Sequence, residues 1–205
     1  MRLKPYQQSM DQKKIKNHFK KVDPIIYQVM KEMDLGQWWD RPKRDYFMAL
    51  CEDIVGQQLS GKAADSIFAR FVGLFPKKQI TPERILKLTD QQIRDIGTSW
   101  AKVRSLKDLA FQVKTRKINL EKLDQLSNEA AMAELIKVKG VGPWTAEMFL
   151  IFTLKREDVF SLGDLGLNKA INKLYGKRKV EPIIKRWSPS KSFGCLALWH
   201  SLDNV

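Results

Sequence analysis

A chain of 205 residues buries roughly 70 % of the surface its unfolded form exposes, so its core needs no disulfide or metal staple. Thirty-seven Lys and Arg against 23 Asp and Glu give a formal net charge of +14. That balance favours a polyanionic partner, because each neutralised phosphate releases condensed counterions. No stretch approaches the apolar length of a membrane span, residues 1–21 lack a secretory core, and Cys51 and Cys195 lie apart in apolar surroundings, so membrane insertion, secretion and a disulfide framework are set aside.

The pattern is helical nearly throughout. Residues 12–33 begin a basic amphipathic segment interrupted at Pro24, and Trp38, Trp39 and Pro42 mark a loop. Residues 44–58 carry Tyr46, Phe47, Leu50, Ile54 and Val55 at helical spacing. Ser60 is placed to cap a helix running to Phe75, and Thr81-Pro82-Glu83 reads as a cap followed by proline at the first helical position. A short helix over 89–95 ends at Gly97, and another runs from about 100 to 113. Ser127 caps a helix to Lys137, and residues 143–154 are apolar nearly all round, which predicts a central buried helix. Segments 164–175, 180–187 and 189–203 complete the set, with Ser188-Pro189 as a further cap-plus-proline start. No run of period-two alternation suggests a strand. The expected fold class is all-α, two helical lobes with a cleft between them, approximately 43–125 for one lobe and 1–42 plus 126–205 for the other.

Two junctions between helices resemble each other: Ile96-Gly97-Thr98-Ser99-Trp100 and Lys139-Gly140-Val141-Gly142-Pro143. In the second, two glycines flanking one apolar residue let the chain reverse tightly and bring backbone N–H groups to the surface. The helix starting at Pro143 then points its positive dipole end outward, which suits a phosphate oxygen. A bare Gly-X-Gly is equally a tight corner between helices. The flanking Leu135, Val138, Thr145 and Ala146 strengthen the DNA-binding reading.

Twenty-two residues after Gly142 stands Asp164, within Ser161-Leu-Gly-Asp-Leu-Gly-Leu-Asn-Lys-Ala170. Taken alone, an aspartate before the apparent helix Leu167 to Tyr175 is an ordinary N-cap. Together, the hairpin, the Trp-Thr-Ala that follows it and this loop resemble the helix–hairpin–helix DNA glycosylase superfamily. Within it, the similarity is greatest to the alkyl-base (3-methyladenine) glycosylases of type II, in the compact form without an N-terminal β domain. The resemblance extends to Val55-Gly-Gln-Gln-Leu-Ser-Gly-Lys-Ala-Ala64 and to Arg186-Trp-Ser-Pro-Ser-Lys-Ser-Phe193 with Trp199. It implies one glycosylase unit over 1–205 and assigns the catalytic carboxylate to Asp164. The chain departs at Gly163, where many relatives carry a first aspartate, at Lys191, where they carry arginine, and at Met148, where a bacterial relative has a pocket tyrosine.

The implied chemistry follows. An extruded base is cut at its N-glycosidic bond, and the carboxylate stabilises the oxocarbenium-like transition state and aligns water. Lyase relatives carry a nucleophilic lysine where this chain has Trp144, and an indole forms no Schiff base, so the enzyme is expected to be monofunctional and to leave an abasic site. No general acid stands out, since His18 and His200 match no catalytic position, and this suits bases already cationic, such as 3-methyladenine or 7-methylguanine. The resemblance places Trp144 and Trp199 in the base pocket, with Phe193 as a further candidate. The expected DNA-binding residues are Gln57, Gln58, Ser60, Lys62, Gly97, Trp100, Lys102, Lys139, Gly140, Val141, Gly142 and Thr145, with Gln58 filling the gap left by the flipped base. No cofactor, side-chain metal site or iron–sulfur cluster is expected. The resemblance implies that the hairpin can hold Na+ or K+ through the backbone carbonyls of Ile136, Val138 and Val141. The expected partner is double-stranded DNA containing a damaged base, bound by a monomer that is not secreted and acts in the cytoplasm or nucleoid of a prokaryote, or in the nucleus of a eukaryote. The alternatives are a glycosylase for a deaminated, oxidised or etheno base, and a non-catalytic helix–hairpin–helix DNA-binding module.

Overall fold

A computed structural model describes residues 11–39 and 45–203, and these residues contain helices and turns with no strand. Asp11 caps α1 (Gln12–Val22) and Asp23 caps α2 (Pro24–Met30), each carboxylate accepting an N–H from the first turn. Pro24 sits at the first position of α2, where a missing N–H costs nothing. A single turn, α3 (Gly36–Trp39), follows. Next come α4 (Tyr46–Gly56), capped by Asp45, and α5 (Gly61–Gly73). Thr81 caps α6 (Pro82–Lys87), a Thr89–Gln92 capping box opens α7 (Asp90–Asp95), and Ser99 caps α8 (Trp100–Lys114). Ser127 caps α9 (Asn128–Leu135), Gly142 precedes α10 (Pro143–Phe152), and Asp164 caps α11 (Leu165–Tyr175). The chain closes with α12 (Val180–Lys185) and α13 (Lys191–Asp203). No described helix is long and apolar enough to cross a membrane.

The departures from the sequence pattern are local. Trp38 lies in the α3 turn with its side chain buried, where a loop was expected, and Pro42 falls outside the described residues. Ser60 occupies the N-cap position of α5, yet its side chain makes no capping bond. Ser188-Pro189 does not start α13, which begins at Lys191. Short 3-10 turns at Pro76–Lys78 and Leu120–Gln125 fall where no element was expected.

The chain divides into two compact units, Met1–Pro42 with Lys155–Val205, and Lys43–Leu154. Residues 126–154 therefore group with 43–125, rather than with the flanking segments as the sequence pattern suggested. The reason is packing: α10 lies against both α9 and α4.

In the first unit the core gathers on Trp187, which is fully buried, with the rings of Phe19, Phe160 and Tyr175 at 5.9, 6.0 and 6.5 Å. Its indole N–H donates to Asp23 Oδ2 at 2.8 Å, and Arg186 lies 3.7 Å from the same oxygen. Those partners compensate for burying a carboxylate. Gly194 allows α13 to ride directly on the indole, since a Cβ there would stand 2.3 Å from its Cε3. In the second unit α4 buries residues on nearly every face, Tyr46, Phe47, Leu50, Ile54 and Val55 among them, and packs against α5, α8 and α10. The Tyr46 hydroxyl donates to Asp124 Oδ1 at 2.6 Å, so the polar end of a buried ring finds an acceptor.

Candidate functional site

In the second unit, α9 ends at Leu135 and the chain reverses through Val138, Lys139, Gly140 and Val141 into α10. Gly140 has φ +82°, a left-handed conformation that favours glycine, and the Val141 N–H closes the turn on the Val138 carbonyl at 3.0 Å. The turn is clamped from outside. Asp108 Oδ2 accepts the Lys139 N–H at 2.8 Å, and Gln112 Nε2 donates to the Lys137 carbonyl at 2.8 Å. Gln57 Nε2 donates to both the Gly140 carbonyl and Thr145 Oγ1 at 3.0 Å. Pro143 follows Gly142 at the first position of α10, which leaves the start of the helix without a side-chain cap.

The related junction between α7 and α8 is built the same way. Gly97 takes φ +101°, Arg70 Nε donates to the Ile96 carbonyl at 2.7 Å, and Thr98 Oγ1 donates to the Ile93 carbonyl at 2.7 Å. Trp100 opens α8 with 47% of its surface exposed, and the Arg94 guanidinium lies 5.9 Å from the ring centroid. Between α4 and α5, Gln58 is exposed at φ +58°, a conformation costly for a residue with a Cβ.

Beside the hairpin a cleft of about 240 Å³ is lined by Glu52, Asp53, Gln57, Asp65, Trp144, Thr145 and Met148, together with Gly56 and Ala64. Trp144 is 44% exposed, unusual for an indole on an otherwise apolar helix. An aromatic face and three carboxylates around one cleft make a site suited to a flat, cationic group. The carboxylates of this cleft were missed by sequence reasoning. Glu52 and Asp53 are adjacent in a mainly apolar helix, and that pairing was the available signal.

In the first unit, Asp164 is 7% exposed. Its Oδ1 accepts the Leu167 N–H at 2.7 Å and the Trp199 indole N–H at 3.2 Å. Two donors on one oxygen fix the carboxylate's orientation. Gly166 is packed into the same corner, where a Cβ would lie 3.1 Å from Asp164 Oδ1 and 3.3 Å from the Trp199 ring. Gly163 has open space around it, so a Cβ added there would meet no neighbour within 4 Å. The loop itself is tied by Asn168 Nδ2 donating to the Leu162 carbonyl at 2.8 Å.

The expected site residues fall into three groups. Gln58, Ser60, Lys62, Trp100, Lys139 and Gly140 are exposed, and Gly142 is partly so. Gln57, Lys102, Val141 and Thr145 turn inward: Val141 and Thr145 are each 5% exposed, and Lys102 Nζ donates to the carbonyls of Val55 and Gln57. Phe193 is fully buried, edge-on to Trp38 with centroids 5.4 Å apart, so it packs the core of the first unit and presents no face to a ligand. Trp199 is half-buried with its N–H on Asp164. His18 is hydrogen-bonded to the Trp187 carbonyl at 3.1 Å. Cys51 and Cys195 are buried thiols outside any disulfide, and burial pushes the Cys51 thiol far above its ordinary range. No group of three or more His, Cys, Asp or Glu able to hold a metal occurs among the described residues.

Residues 51–188 match the family described as HhH-GPD superfamily base excision DNA repair protein. The chain is 33% identical over 163 residues to DNA-3-methyladenine glycosylase 1 of Schizosaccharomyces pombe, covering 77% of this chain and 72% of that protein. It is 34% identical over 183 residues to the DNA-3-methyladenine glycosylase of Saccharomyces cerevisiae, covering 82% of this chain. It spans 62% of that protein's length. A solved structure of the Schizosaccharomyces pombe 3-methyladenine DNA glycosylase in complex with abasic DNA superposes with a TM-score of 0.80 at 30% identity, covering 93% of this chain and 97% of that one.

Proposed function

The chain belongs to the HhH-GPD superfamily of base excision DNA repair proteins, and from that premise we propose that it hydrolyses the N-glycosidic bond of alkylated purines in duplex DNA, of the 3-methyladenine and 7-methylguanine type. The carrying observation is Asp164, a nearly buried carboxylate whose orientation is held by a backbone and an indole N–H. Positive charge develops on the sugar as the bond from C1′ to the base nitrogen breaks and its electron pair leaves with the base. Asp164 stabilises that cation and aligns the water that attacks C1′, and the water loses a proton as the abasic sugar forms. A base that is already cationic leaves neutral, so no general acid is required.

The Trp144 cleft supports the same class of substrate. Its indole face and the carboxylates of Glu52, Asp53 and Asp65 attract a cationic ring more than a neutral one. Trp144 carries no amine, so no Schiff base forms and the strand stays uncut. The net charge of +14 and the exposed Lys62 and Lys139 serve DNA phosphates. The hairpin's donor set is compatible with a bound Na+ or K+. The Lys137 and Gly140 carbonyls are engaged by glutamine amides, while those of Ile136, Val138 and Val141 would face the ion, and the Val138 oxygen keeps a second lone pair. The enzyme acts as a monomer on duplex DNA containing the damaged base, in the cytoplasm or nucleoid of a prokaryote or the nucleus of a eukaryote.

The test is chromatography of bases released from methylated duplex DNA, beside duplexes carrying hypoxanthine, 8-oxoguanine or ethenoadenine. Release of 3-methyladenine and 7-methylguanine with uncut strands and no borohydride trapping is the expected result. Binding without release of any base would make the chain a non-catalytic module, and preferential release of another lesion would change the substrate.

A further inference from the structure

Along one face of α8, Lys102, Ser105, Asp108 and Gln112 recur at steps of three or four residues. Each meets a segment of the candidate DNA-binding surface. Asp108 and Gln112 hold the Lys139 N–H and the Lys137 carbonyl, and Ser105 lies directly under Gly140. At the other end, Lys102 Nζ donates to the carbonyls of Val55 at 2.8 Å and Gln57 at 2.7 Å, the C-terminal end of α4. Gln57 then closes the circuit, because its side chain bonds Gly140 and Thr145.

We propose that Lys102 is a positioning residue that holds the Gln57-Gln58 turn in register with the hairpin, and that it does not neutralise a DNA phosphate. An ammonium has three donors, and two of them are directed at backbone carbonyls. Those carbonyls lie at the negative end of the α4 dipole, where a cation is favoured. Burial pulls the Lys102 ammonium below its ordinary pKa, as for a group withdrawn from solvent, whereas Lys62 and Lys139 are exposed. The anchored turn carries Gln58 at φ +58°, and such a backbone persists only when its surroundings over-determine it. Lys102 supplies one of those constraints.

The functional consequence rests on the chain's acting on extruded bases, but the test separates the two claims. Affinity for a duplex bearing a tetrahydrofuran abasic analogue is measured by anisotropy from 50 to 300 mM NaCl for wild type, Lys102→Met and Lys139→Met. A lost phosphate contact lowers the slope of log K against log salt by about 0.9, and this is expected for Lys139→Met alone. Extrusion of 2-aminopurine, followed by fluorescence, is expected to fall at least fivefold in Lys102→Met. Gln57→Met should give an equal fall, the double variant no more, and Lys102→Arg at least half of the wild-type signal. A slope reduced by about 0.9 in Lys102→Met, unaltered extrusion, or independent effects of the two substitutions overturns the proposal. Should Lys102→Met fail to fold by circular dichroism, intact extrusion in Gln57→Met overturns it. If wild type releases no base, the glycosylase reading fails while the salt slopes still decide on Lys102.

Discussion

Replacing Gly140 with alanine strains the hairpin in two separable ways. The left-handed φ of +82° costs a non-glycine residue about 1–2 kcal/mol. A Cβ there would also stand 2.2 Å from Ser105 Oγ and 3.2 Å from Ser105 Cβ. The hydroxyl can escape only by rotating away, which forfeits its bond to the Ala101 carbonyl at 3.0 Å and costs about another 1 kcal/mol. Gly140→Ala should therefore destabilise by about 2–3 kcal/mol, but by only about 1–2 kcal/mol in a Ser105→Ala background. Urea denaturation of the wild type, both single variants and the double variant measures the coupling, about 1 kcal/mol. Equal costs in both backgrounds, or a total below about 0.5 kcal/mol, would refute the close approach of α8 to the hairpin.

Gly194→Ala places a Cβ 2.3 Å from the fully buried Trp187 ring, with further ring atoms at 2.7 and 3.0 Å. Overpacking of this kind costs about 1–3 kcal/mol, and an unchanged urea midpoint would show that the indole is not packed as described. Trp199→Phe removes one of the two N–H donors on Asp164 Oδ1 and keeps the Leu167 donor. Base release should slow by about tenfold in single-turnover assays, as for the loss of about 1.4 kcal/mol, and no change would remove Trp199 from the site.

Much of the helical order was legible because the caps are local. Thr81, Ser127 and Asp164 each accept an N–H three residues on, and Asp164 is both the helix cap and the candidate catalytic group. The tight hairpin was legible for the same reason, since its glycines answer a backbone demand within a few residues. Groups that depend on distant partners were not. Nothing near Lys102 in the sequence shows that its ammonium donates to the carbonyls at the end of α4, and nothing near Thr145 shows that Gln57 reaches its hydroxyl. Phe193 has the composition of a pocket aromatic, but its position relative to Trp38 makes it core. Glu52, Asp53 and Asp65 lie on two helices, and only the packing of α4 with α5 turns them toward one cleft. Ser188-Pro189 has the residues of a helix start, yet α13 begins at Lys191, two residues beyond the proline.

The most direct measurement is single-turnover release of 3-methyladenine from methylated duplex DNA by wild type and Asp164→Asn, with binding to abasic DNA measured in parallel. Asparagine keeps the shape of the side chain and removes the charge proposed to stabilise the sugar cation. The expected result is near-normal binding with release slowed on the order of 10²-fold or more. Equal release by the two proteins would contradict the assignment of the chemistry to Asp164.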